Sequence, residues 1–146
     1  MAVKFEFVSA FLCERVLTEA DGISSAIRMV DVFFIPEDTS EDAVVQFFAV
    51  VSLKTVPVPV NTKVDIGVTL VRASGEREKL PSPGSPYTLD AYQHDPSIPA
   101  GFNLAIGFRV KPKNMGTCFI EIDADGELVT RIPFTLRRPA QTEPEK

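Results

Sequence analysis

Val64-Asp65-Ile66-Gly67-Val68-Thr69-Leu70-Val71-Arg72 places Val64, Ile66, Val68 and Leu70 on one side of an extended chain and Asp65, Gly67 and Thr69 on the other. Successive side chains of a strand point to opposite faces, so this alternation predicts a strand with one face buried. Residues 98–110 repeat it. Ile98, Phe102, Leu104, Ile106, Phe108 and Val110 are in phase, and Asn103, Ala105, Gly107 and Arg109 are out of phase. Between these lies no heptad or 3.6-residue pattern that would ask for a helix.

The same period extends outward. In the nearly continuous apolar run 44–53, the odd positions Val45, Phe47, Ala49, Val51 and Leu53 are all apolar and predict a core face. Two Asp-Gly pairs flanked by apolar residues predict tight hairpins, because a type I′ turn needs positive φ at both central positions. Asp21-Gly22 would join a strand over about 3–19 to one over about 23–36, with Val16 near Ile27 and Cys13 near Val30. The apolar phase of that first strand switches from odd at Cys13 to even at Val16, which calls for a bulge near Glu14-Arg15. Asp125-Gly126 would join Cys118, Ile120 and Ile122 to Leu128, Ile132, Phe134 and Leu136. Pro57 and Pro59 cannot donate ladder hydrogen bonds, so their segment reads as a crossover or an edge. Together these features predict an all-β fold: a two-layer antiparallel β-sandwich, broadly immunoglobulin-like, with seven or eight strands. Trp is absent, so the Trp and paired cysteines of true immunoglobulin domains are not expected.

The chain has 146 residues, the length of one ordinary domain, and 45% of them are hydrophobic, which supplies a full core. A single domain over 1–137 is expected, followed by a disordered tail over 138–146. Cys13 and Cys118 lack a Cys-x-x-Cys spacing and sit in apolar runs, so reduced, buried thiols are expected. Lys4 and Glu6 interrupt the apolar N-terminus, and no stretch reaches the roughly twenty apolar residues that span a bilayer. No membrane and a cytoplasmic location are therefore the expectations. The net charge is −5, and the largest contiguous basic cluster is Arg137-Arg138. Binding to phosphate backbones draws on concentrated positive charge, so nucleic acid is not expected as a partner.

Chemistry-bearing residues are sparse. His94 is the one histidine and is followed by Asp95 on a Pro-rich loop. A catalytic triad needs three side chains converging from separate places on a rigid frame, and neighbours on a loop do not supply that. Zinc held by His94, Cys13 and Cys118 lacks any ligand spacing. Glu121-x-Asp123-x-Asp125-Gly126 imitates the first half of a calcium loop, but Ile132 stands where the bidentate Glu belongs. The acidic run Glu37–Asp42 reads as a solubilising loop. No metal, no cofactor and no enzyme activity are predicted. The long stretch 81–99 carries Tyr87, Asp90, Tyr92, His94 and Asp95 and is the predicted recognition surface. A stiff connection in which Tyr87-Thr-Leu-Asp90 forms a short edge strand is the alternative. Gly67, Ala105 and Gly107 leave the outward phases of two strands small. Either a second chain packs there or the strands twist or bulge locally.

The opening Phe11-Leu-Cys-Glu-Arg15 with Glu19-Ala-Asp-Gly22, and the closing Gly116-Thr-Cys-Phe119, Asp125-Gly126-Glu-Leu and Ile132-Pro-Phe134, resemble a family of small bacterial β-proteins of unknown function. The resemblance covers most of residues 3–137 and implies the fold without implying an activity. The functional expectation is a non-catalytic protein-interaction or structural module whose partner is another protein or a second copy. A small-ligand or carbohydrate-binding domain using the 81–99 loop is the alternative, and a His94-dependent hydrolase is third.

Overall fold

Alternation becomes sheet in a computed structural model of the chain, which describes residues 3–18, 20, 24–55, 58, 59, 61–82, 85–89, 97 and 101–140. The strands are β1 (Phe5–Thr18), β2 (Ser24–Met29), β3 (Val32–Phe34), β4 (Val45–Thr55), β5 (Lys63–Val64), β6 (Ile66–Val71), β7 (Arg77–Leu80), β8 (Tyr87–Thr88), β9 (Gly101–Val110), β10 (Gly116–Ala124) and β11 (Glu127–Arg137). Among the described residues there is no helix. One sheet has the order β2-β1-β4-β9, a second has the order β3-β11-β10-β6-β7, and β5 pairs with β8 separately.

The two larger sheets bury their in-phase faces against each other. Phe47, Ala49, Val51 and Leu53 of β4 and Leu104, Ile106, Phe108 and Val110 of β9 come from the first sheet. Ile66, Val68 and Leu70 of β6 meet them from the second, with Ile120, Ile122, Phe134 and Leu136. Phe33, Phe47, Phe108 and Phe134 form a ring cluster across the layers, with centroids 5.2 to 5.9 Å apart. A fully buried side chain of this kind contributes about 1.5–3 kcal/mol, which is why parity controls the fold.

The Asp125-Gly126 hairpin forms with φ of 50° and 84°, as a turn with two positive φ values requires. A register shift after Ile122 leaves Leu128 59% exposed and restores Ile132 to the core. Several expectations are corrected. The pairing is not wholly antiparallel, because β3 crosses to the second sheet and runs parallel to β11, with Leu136 opposite Phe33. The eleven described strands exceed the seven or eight expected, the surplus being short pieces such as β5 and β8. Residues 64–72 do not form one strand, because Asp65 leaves the ladder to exchange hydrogen bonds with Asp125. In the first hairpin Arg15, not Val16, faces Ile27, and Cys13 faces Met29. The irregularity expected near Glu14-Arg15 lies across the ladder at Arg28, whose φ is 55° and whose guanidinium pairs with Glu14. A further shift lies between Phe5 and Phe7 against β4. The Asp21-Gly22 turn itself is outside the described residues. Arg138 donates to the carbonyls of Ile35 and Pro36 at 3.1 and 2.6 Å, and 141–146 lie outside the described residues.

Candidate anion-binding site

The inward phase of β6 does not end at Leu70. Arg72 takes the next inward position, where the strand leaves the sheet, and its side chain is only 3% exposed. A charged group drawn into the end of an apolar core must find partners, because burying an unpaired charge is costly. Nη1 donates to the carbonyl of Lys111 at 2.9 Å, which ties the exit of β6 to the exit of β9. Nη2 lies 3.3 Å from Glu78 Oε2, and Glu78 is itself 49% exposed. Nε is buried and has no hydrogen-bond partner among the described residues.

Arg72 lines a concavity of about 260 Å³ with Glu78, Arg109, Lys111 and Lys113, between apolar walls that include Leu70 and Val110. Arg109 and Lys111 stand in the outward phase at the end of β9 and are exposed. Among the described residues neither is ion-paired, and Lys113 reaches Glu76 only at 3.9 Å. A second concavity of about 270 Å³ shares Lys111 and Lys113 and adds Arg138, Thr39 and Glu41. Arg72, Arg109, Lys111, Lys113 and Arg138 thus ring one end of the sandwich, with Glu78, Glu76 and Glu41 among them. The arrangement can hold an anion: a buried fork of donors sits behind a rim of ammonium and guanidinium groups.

Other polar clusters are internally satisfied. Glu121 is paired with both Arg77 and Arg131, and Arg131 lies 3.9 Å over the Phe119 ring. Asp125 Oδ1 accepts from the Asp65 amide, and Ser85 Oγ donates to Asp65 Oδ1. A groove of about 690 Å³ lies at the far end of β1 and β4, lined by Glu6, Lys54 and the exposed Phe7 among others. Among the described residues no group of three His, Cys, Asp or Glu side chains could hold a metal ion.

Of the sequence-predicted recognition residues, Tyr87 is half-buried in β8, opposite Val64, in keeping with the short-strand alternative. Asp90, Tyr92, His94 and Asp95 lie outside the described residues. Gly67 belongs to the second sheet, where a Cβ would collide with the Asp123 carboxylate. Ala105 and Gly107 belong to the first, and a Cβ on Gly107 would press on the Phe48 ring at 3.0 Å. The three do not share one face. Sequence reasoning missed Arg72, although its parity with Ile66, Val68 and Leu70 was there to be read.

No family model matches the chain, and no curated protein matches it. A solved structure of Pseudomonas fluorescens alkylpurine DNA glycosylase AlkC bound to DNA containing an abasic site analog is similar at 12% identity and a TM-score of 0.46, over 73% of this chain and 27% of that one. This chain therefore spans about a quarter of that protein's length. The likeness runs against two expectations, which are corrected here. One is the non-catalytic interaction or structural module, with its small-ligand or carbohydrate alternative. The other is a protein or self-association partner to the exclusion of nucleic acid. At that identity and TM-score nothing of the glycosylase's chemistry transfers. The physical flaw in the exclusion lies in this chain: it weighed contiguous basic runs, whereas the cations at 72, 109, 111, 113 and 138 meet only after folding. Among the described residues no helix is long and apolar enough to cross a membrane.

Proposed function

We propose that this end of the sandwich contacts the phosphate backbone of nucleic acid. The observation that carries the reading is the ring of Arg109, Lys111, Lys113 and Arg138 around two adjoining concavities, with Arg72 buried behind it. The net charge is −5, and of the acids Glu41, Glu76 and Glu78 lie at this end, where the five cations outnumber them. From Asp65 to Arg72 the chain covers seven residues of nearly extended backbone, roughly 23 Å at about 3.3 Å each. The Debye length at physiological salt is about 8 Å, so the acidic groups at the far end are screened from a ligand at the rim. The contacts proposed are to phosphate, which fixes a protein on a strand without reading its sequence. Two packed sheets with a parallel β3–β11 pairing also support the broadly immunoglobulin-like character of the sandwich.

The test is fluorescence polarisation of a labelled short duplex at several salt concentrations. Saturable binding that weakens with salt is expected, with a log–log slope no steeper than about −4, because four rim cations release about 0.9 counterions each. The double variant Lys111→Glu, Lys113→Glu should weaken binding at least tenfold. Equal binding by that variant, or binding indifferent to salt, would overturn the reading.

A further inference from the structure

We propose that the concavity at Arg72 is a subsite for a single phosphate group, in which the phosphate displaces Glu78 from the guanidinium. This rests on the reading of the rim as a phosphate contact, and assigns to the space behind it a distinct role. Arg72 is almost wholly buried, yet its one carboxylate partner is half in water and 3.3 Å away. Charge-assisted pairs that are well made close to about 2.7–2.9 Å, often with two parallel bonds. Here one bond is long and the adjacent Nε has none. The Nε and Nη2 edge of the fork is therefore only partly used, and that edge matches two oxygens of a phosphate.

Arg109, Lys111 and Lys113 surround the same space, with Glu78 the one acid lining it. A second anion entering beside Glu78 would meet that carboxylate at close range. Its entry is favoured when Glu78, already half exposed, swings into solvent and the guanidinium turns its free edge to the ligand. Leu70, Leu80, Val44 and Val110 make the walls apolar, which strengthens an ionic hydrogen bond formed there. The volume of about 260 Å³ lies below the range of about 300–1,000 Å³ usual for larger organic ligands. It suits a phosphate with water, leaving sugar and base outside.

The experiment follows the Arg72 Nε–H resonance of the full chain by NMR during titration with inorganic phosphate and, separately, with the short duplex. Saturable movement of that resonance by both is expected, and Glu78→Gln should tighten inorganic phosphate binding at least threefold by removing the competing charge. Arg72→Met should abolish saturable movement of the Lys111 and Lys113 amide resonances by inorganic phosphate. If the duplex binds and moves Lys111 and Lys113 while the Arg72 resonance stays still, the subsite is overturned and the rim survives. If inorganic phosphate moves Arg72 but no duplex binds, the rim reading falls and the subsite stands. An unchanged phosphate affinity in Glu78→Gln overturns the displacement, and no response to either titrant overturns both proposals.

Discussion

The strand β6 ends in opposite ways. Before Ile66, the backbone of Asp65 exchanges hydrogen bonds with Asp125, and Ser85 serves both Asp65 and the Ile66 amide. After Val71, Arg72 turns into the core with a free Nε and a loosely held carboxylate, amid further cations. At the first end Asp65, Ser85 and Asp125 satisfy one another. The second leaves positive charge in excess of its partners. Buried polar groups are ordinarily satisfied; among the described residues Ser82 Oγ and Arg72 Nε are buried without a partner, and of the two only the Arg72 group carries a charge, so it is the one that calls for an explanation outside the fold.

The largest test of this contrast removes the core that both ends share. Phe47→Ala should cost about 3–5 kcal/mol, from lost burial and a cavity amid three other rings. In urea denaturation both ends should be lost in a single transition, and two separate transitions would break the picture of one core. Next comes the cationic end. Arg72→Met, which fills the site with an apolar chain of similar length, should leave stability unchanged or raise it by up to about 4 kcal/mol, because the charge is poorly compensated. A large loss of stability would show that Arg72 is there to hold the fold.

The acidic end should behave in the opposite sense. Asp125→Ala removes the acceptor for the Asp65 amide and puts alanine, which tolerates left-handed backbone less well than aspartate, at a φ of 50°, so it should destabilise by about 1–3 kcal/mol. The smallest effect belongs to neither end. Burial pushes the Cys13 thiol above its ordinary value of 9.0. The native state therefore favours the neutral thiol, and its contribution to stability is full below pH 9.0 and is lost as pH rises through the higher native value. Thermal melts across that range should show a shallower alkaline decline in Cys13→Ala than in the unaltered chain.

What was legible in the sequence follows from what parity can report. Val64, Ile66, Val68 and Leu70 are buried as their spacing requires, and Phe47, Val51, Ile106 and Phe108 with them. Asp125-Gly126 announces its turn because few residue pairs tolerate positive φ twice. Arg28 gives no such warning, since nothing in its type asks for a left-handed backbone within a strand, and the first hairpin's register slips accordingly. The crossing of β3 was hidden for a different reason. Val32, Phe33 and Phe34 suit either sheet, and the pairing is decided by residues a hundred positions later. The candidate site was the least visible part, because its cations come from β6, the exit of β9, the segment after it and the end of β11.

The parallel pairing of β3 with β11 also bears on how the molecule comes to be made. Phe33 waits for Leu136, so among the described strand pairings this one joins the residues farthest apart in sequence. Until β11 is available, the β3 edge lacks its neighbour. Such long-range closure is slow, and an unpaired strand in the interval is open to mispairing with other chains.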